Sequence, residues 1–433
     1  MSMKIINFGK KNSLRLLNQS LNSRRITKKK TKSIVEKILY QIKSGGDQSL
    51  IKIEQKFTKK KIRNKDLFFS KNEIREYIKL LDTRTRRDID LAFERVFKFH
   101  KKQKIYNFLF KDKLDNKLGY RSMPIQNLGI YVPGGKASYP SSVIMNCVPA
   151  LVAKVENIYM CFPCLGKEVN PAVIYAATKC KVKKIFKIGG AQAIGAMAYG
   201  TKIVPKVDKI VGPGNEFVTY AKKEVFGEVG IDNIAGPSEV TIVADTSVNP
   251  SWIAADLIAQ AEHDENSQCI LISPNENFIK QVNREIKLQL FTLPKRNIAE
   301  KSLHENGLAI YSKSLKQIAD IINLIAPEHL ELVSKNNNKL VSLVKNAGSI
   351  FLDKYSPEAM GDYLAGPNHV LPTSGSAKYS SGLSVLDFIK RQSIIKISKR
   401  GIERLGSSVI NLANFENLQG HANSIKKRLE KRK

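Results

Sequence analysis

The chain has 433 residues, 42% of them hydrophobic, and a formal charge of +33. That length predicts two or more domains, and no apolar run reaches the roughly 18 residues of a membrane-spanning helix. The charge is spread along the chain among Ile and Asn, which reads as solvated surface and not as a nucleic-acid groove.

The two densest basic stretches, 28–32 and 426–433, share that reading. Five scattered cysteines give no disulfide framework, and Met1-Ser2-Met3-Lys4-Ile5-Ile6 shows no signal-peptide pattern. A cytoplasmic protein is expected.

Residues 1 to about 110 are basic and mainly helical in pattern. Ile34, Val35, Ile38 and Leu39 share one face of a predicted helix over 32–43, which Gly45-Gly46-Asp47 should break. A second helical run covers 72–101. From about residue 120, β-branched runs at 184–188, 209–211, 240–244, 269–273 and 308–311 alternate with helices. Such alternation predicts parallel sheets with right-handed crossovers. A break near Ala235-Gly236-Pro237 divides two α/β units. Segment 353–384 is rich in Gly, Pro, Ser and Tyr and reads as a long functional loop or a linker. A basic helix from about Glu416 ends the chain.

Two of the six histidines lie beside carboxylates. Gln260 and His263 are three residues apart on a predicted helix, so both sit on one face, and such a pair can share a metal. Two helix-end residues satisfied locally would look the same. Glu328-His329 follow Pro327, which stops the preceding helix; they suit proton transfer at two different atoms or a plain exposed strand start. Asp362, in the loose segment, could give oxygen to a metal or serve a turn. Glu416 and His421 are equally ambiguous alone.

Three glycine turns are candidates for cofactor contact: Val132-Pro133-Gly134-Gly135, Gly189-Gly190 and Gly212-Pro213-Gly214-Asn215. Helix N-termini with close backbone approach suit phosphate. None fits G-x-G-x-x-G, so a purely structural turn stays open. Cys161-x-x-Cys164 has no second pair at zinc-site spacing.

Taken together, the blocks 129–135, 189–194, 211–215, 235–239, 259–264, 326–331 and 366–373 resemble the histidinol dehydrogenase family, in the family's order and over about residues 25–423. The resemblance implies NAD-dependent oxidation of L-histidinol through L-histidinaldehyde to L-histidine, the last step of histidine biosynthesis. It implies one zinc ion per subunit, held by Gln260, His263, Asp362 and His421. His329 and Glu328 would be the proton acceptors of the two stages. Ser238, Glu416 and His369 resemble substrate positions, joined by Gln260, His263, His329, Asp362 and His421; Tyr131, Gln192 and Asn215 resemble NAD contacts.

The implied fold is two Rossmann-like, incomplete doubly wound α/β units with helical N- and C-terminal extensions, in a domain-swapped homodimer. The corresponding regions are 1–120, packing on the second α/β unit; 121–236, with the NAD turns; 237–384, with metal and catalytic residues; and 385–433, an exchanged tail. That tail would carry Glu416 and His421 into the partner's site. A metallohydrolase using Glu328 and a basic nucleic-acid-binding protein are the alternatives; the first leaves the glycine turns unexplained.

Overall fold

A computed structural model describes residues 3–10, 12–22, 29–134, 139–165, 168–234 and 236–430. Gly135, Ala235, Lys28 and the last three basic residues of the tail, each part of a stretch singled out above, lie outside the described residues. Among the described residues no helix is long and apolar enough to cross a membrane. The chain divides into two compact units, one of residues 1–102 with 126–387 and one of residues 103–125 with 388–433.

The larger unit contains two parallel sheets. One is ordered Lys184–Phe186, Asn157–Cys161, Asn127–Tyr131, Lys209–Val211, Gly230–Ile231. The other is ordered Lys4–Asn7, Leu308–Tyr311, Gln268–Ser273, Glu239–Ala244, His329–Val333, Ser349–Leu352. Numbered by position in the chain, and setting aside Lys4–Asn7, both sheets run 3-2-1-4-5. Each therefore reverses direction beside its first strand. Glu239–Ala244 and Gln268–Ser273 are buried at every position, as parallel strands covered on both faces must be.

Local chemistry explains the helix starts. Asn249 accepts from the Ser251 N–H, with Pro250 at the first helical position of Pro250–Ala261. Asn215 accepts from the N–H groups of Phe217 and Val218 to open Glu216–Val225. The glycine pair breaks the first helical run as expected: Gly46, at φ 51 and ψ −132, divides Lys29–Thr58 into two helical stretches across a kink. The run over 72–101 is two helices, Lys71–Lys79 and Thr83–His100, the second capped by Asp82.

One expected packing is corrected. The helix Lys29–Thr58 does not pack on the second sheet's unit. Its Val35, Leu39, Ile42 and Leu50 join Ile194, Met197 and Val218 in the core of the first. Of the N-terminal region, Ile6 and Leu17 do enter the second unit's core. The reason is that the buried stripe of Lys29–Thr58 matches the apolar helices Gly190–Tyr199 and Glu216–Val225, whereas Lys4–Asn7 extends the second sheet.

The smaller unit was not foreseen. Ile389–Lys396 pairs antiparallel with Lys117–Pro124, which pairs antiparallel with Phe108–Lys111. Helices Lys399–Phe415 and Gln419–Leu429 complete it. Its strands carry little alternation, and Phe108–Lys111 is exposed throughout, so the usual period-two signal is missing.

Candidate active site

The first strand and the fourth of the second sheet start side by side, with His329 in register with Val240. The chain reaches His329 through Ala326 in the left-handed region (φ 48), which ends the helix Leu315–Ile325 before Pro327. Glu328 and His329 are both buried. The Glu239 N–H donates to Glu328 Oε2 at 2.9 Å. His329 Nδ1 lies 3.0 Å from the Glu239 carbonyl oxygen. A carbonyl can only accept, so Nδ1 carries the proton and Nε2 keeps its lone pair. Nε2 is buried and, among the described residues, has no hydrogen-bond partner. Burial holds His329 down to about 4, so the ring is neutral at ordinary pH. Burial, with the neighbouring acids, pushes Glu328 well above the usual carboxylate range.

Two further segments converge here. The helix Pro250–Ala261 buries Gln260 near its end, and His263 N donates to the Gln260 carbonyl, closing the turn that presents both residues. The short helix Glu358–Tyr363 supplies Asp362. Asp362 lies 3.9 Å from His263 Nε2 and 3.5 Å from His369 Nδ1. Burial raises the Asp362 carboxyl, but the neighbouring histidines, His369 foremost through its hydrogen bond, together hold the group below its ordinary value. The Gln260 side chain meets a buried acid, Glu358, which also lies 3.4 Å from His329 Nδ1. Ser238 is half-buried just before Glu239–Ala244, its carbonyl accepting from the Gln268 N–H at 2.9 Å. A cavity of about 400 Å³ has His329, His369, Phe351, Met360 and Leu371 on its walls, a volume suited to a small ligand.

Thus Gln260, His263, Glu328, His329, Asp362 and His369 come together. Glu416 and His421 are exposed residues of the smaller unit, at the end of one helix and in the next.

The glycine turns lie at the carboxyl ends of the first sheet's strands, where open α/β sheets bind ligands. Tyr131 and Gln192 are buried. The Gly190 N–H donates to the Tyr131 hydroxyl at 3.1 Å. Gln192 Nε2 donates to Glu54 at 2.8 Å, and the Gly189 N–H donates to the same oxygen at 3.4 Å. The carboxylate of Glu54 therefore accepts hydrogen bonds at this helix start, one of those that suit phosphate. Asn215 is exposed beside its turn. Tyr139, past the first glycine turn, is raised by burial and by the charge of Asp264; the chain beyond that turn thus runs beside the metal-ligand candidates. The Cys161 thiol is pushed up by burial, and Cys164 is pushed up to about 12, so neither is a ready thiolate.

Glu54, Glu239, Glu331 and Glu358 carry the site's second layer and were not singled out from sequence. Glu358 stood four residues before Asp362, a spacing that puts both on one helix face, but only a helix there would have revealed it.

Comparison with known proteins identifies the family. The family model described as histidinol dehydrogenase matches residues 21–429. The chain is 52% identical over 431 residues to the histidinol dehydrogenase of Pelagibacter ubique, covering 99% of this chain and 100% of the relative. It is 45% identical over 397 residues to that of Nitrosomonas europaea, covering 92% of each. The crystal structure of histidinol dehydrogenase from Elizabethkingia anophelis superposes with a TM-score of 0.92 at 37% identity, covering 99% of this chain and 98% of that one. The chain belongs to the histidinol dehydrogenase family of oxidoreductases.

Proposed function

We propose that the protein oxidises L-histidinol through L-histidinaldehyde to L-histidine, reducing two NAD in succession, as the last step of histidine biosynthesis. The observation that carries the reading is His329. Its proton is committed to the Glu239 carbonyl, and its unpartnered Nε2 lies in a chain that matches the family from residue 21 to 429.

In the first stage the substrate hydroxyl loses its proton to His329 Nε2 as a hydride leaves the same carbon, giving the aldehyde. In the second, a water oxygen bonds to the aldehyde carbon and its proton passes to Glu328. The resulting hydrate anion then loses a hydride from the same carbon and its remaining hydroxyl proton, leaving the carboxylate. Burial suits both groups: it keeps the imidazole neutral and makes Glu328 a stronger base than an exposed carboxylate. NAD, when bound, supplies the hydride acceptor.

The donor set fits a divalent cation. Glu328, Glu331, Glu358 and Asp256 are acids whose carboxyls burial raises. Among the described residues no lysine or arginine pairs with them. Imidazole, amide and carboxylate donors together suit zinc. Gln260, His263 and Asp362 would hold it, with His421 contributed by a second copy of the chain. Zinc, when bound, would fix the substrate's imidazole and amino nitrogens. Ser238, His369 and Glu416 would complete the substrate pocket.

For NAD, the exposed Asn215 and the neighbouring glycine turns offer contacts. Tyr131 and Gln192 would shape them from behind. The 3-2-1-4-5 order of each sheet supports two incomplete Rossmann-like units. On this reading 121–236 takes the cofactor, 237–384 the metal and substrate, and 385–433 is exchanged in a homodimer. Exposed apolar side chains of the smaller unit, including Phe110, Ile395, Leu412 and Phe415, support a covering partner. We place the protein in the cytoplasm.

The test is the yield of NADH from L-histidinol. Two NADH per substrate with histidine as product are expected; one NADH with accumulated aldehyde refutes the second stage, and none refutes the function.

A further inference from the structure

Among the buried acids that the chemistry above leaves without a task, Glu358 stands nearest the proposed ligands and base. Glu358, 4% exposed, opens the short helix that carries Asp362 one turn later. Its carboxylate meets two groups at once. With the amide turned so that its NH₂ end faces the acid, the orientation that satisfies both groups, the Gln260 nitrogen donates to both oxygens, at 2.9 Å to Oε2. His329 Nδ1 lies 3.4 Å from Oε1. A carboxylate accepts only, so it must face the NH₂ end of the amide, and the Gln260 carbonyl oxygen is turned away from it. On His329 it adds a second acceptor to the side where Nδ1 already meets the Glu239 carbonyl. Glu358 is itself held: its N–H donates to Glu331 Oε1 at 2.6 Å, and three residues on, Gly361 lies close against the Phe351 ring.

We propose that Glu358 is a positioning residue with two outputs: it aims the Gln260 carbonyl oxygen at the metal and keeps the His329 lone pair on Nε2. The inference rests on the zinc reading given above. Groups that orient metal ligands and fix imidazole tautomers raise affinity and activity without touching the ion. A rival role is direct ligation, since His329, Glu358 and Asp362 offer atoms within 4.8 Å of one another. The amide bond to Gln260 argues against it, because an NH₂ group shared by both oxygens holds the carboxylate toward the amide instead of toward a cation.

The experiment measures zinc affinity by chelator competition in the full-length protein, the Glu358→Gln variant, and the double variant Glu358→Gln with Gln260→Glu. The double variant keeps the net charge and reverses the amide–carboxylate pair, placing a carboxylate oxygen at the ligand position. The single variant should bind zinc about 10–100-fold more weakly, as is typical for ligand-orienting partners. Its metal-free melting temperature should not fall, and its KM for NAD should stay constant while kcat drops in both stages. The double variant should recover most of the zinc affinity. If the single variant fails to fold, the double variant carries the comparison against the parent.

Unchanged zinc affinity in folded Glu358→Gln overturns the proposal. So does a double variant no better than the single. A loss far beyond 100-fold makes Glu358 a ligand and overturns the positioning role. A parent that binds no zinc tightly refutes the zinc reading itself, and the inference with it; a zinc-binding parent with an unaffected variant refutes the inference alone.

Discussion

Lys222 and Asp232 form a buried ion pair, each side chain 3% exposed. The pair grips one glycine from both sides. Lys222 Nζ donates to the Gly212 carbonyl at 3.0 Å, and the Gly212 N–H donates to Asp232 at 2.8 Å. Gly212 needs that grip. Its φ of +113 excludes other residues, and a Cβ there would strike the Tyr131 carbonyl. Lys222→Met keeps the aliphatic stem and removes the ammonium, leaving Asp232 buried with one backbone donor. Breaking a buried pair on one side costs about 3–5 kcal/mol. The surviving Gly212 hydrogen bond offsets about 1 kcal/mol of that. A net loss of about 2–4 kcal/mol is expected in urea unfolding. Adding Asp232→Leu removes the stranded charge and should restore most of the stability, since apolar replacement of both partners is often neutral. The KM for NAD should rise in the single variant, because Asn215 hangs on the same turn. A single variant within about 0.5 kcal/mol of the parent, the range of an ordinary surface change, refutes the reasoning. So does a double variant as unstable as the single.

Three other outcomes are expected. Glu328→Gln retains an oxygen for the Glu239 N–H, so it should fold. It should slow oxidation of the aldehyde by about 10²–10⁴-fold and of the alcohol by less; separate assays with the two substrates check this, and equal slowing contradicts the assigned role. His263→Asn should lose its zinc, measured by metal analysis after dialysis, and stoichiometric zinc in that variant would remove His263 from the ligand set. For Glu54, burial raises the carboxyl above its ordinary 4.5. The stability tied to its proton is therefore full below that value and is lost as pH rises through the higher folded value. Glu54→Gln should match the parent in acid and grow more stable than it toward neutral pH; urea midpoints that differ by a constant across pH would exclude this.

Much of the site was legible because its clues are local. Gln260 lies in the last turn of Pro250–Ala261 and His263 in the turn that follows, and that helix begins at an Asn-Pro cap readable from neighbours alone. The glycine turns are visible as glycines after β-branched runs. What these turns bind was less legible. Glu54 reaches the start of Gly190–Tyr199 from a helix more than 130 residues earlier, and no local pattern shows that an acid already sits there. The segment 353–384 read as loop because its helix is only six residues long and follows a Pro-Glu start with no hydrophobic period. Lys4–Asn7 was missed because a four-residue strand depends on its neighbour, Leu308–Tyr311, for its existence.

The residue types, the alternation of strands and helices, and the positions of caps and tight turns follow from the sequence by itself, since each depends on side chains a few residues apart. Tertiary structure alone decided which acids share one buried space, that Glu239 orients His329, and that Glu358 stands behind Gln260. Those facts rest on contacts between distant segments and on exclusion of water. The same burial sets the protonation of His329 and Glu328, and neither has a counterpart in the order of the residues.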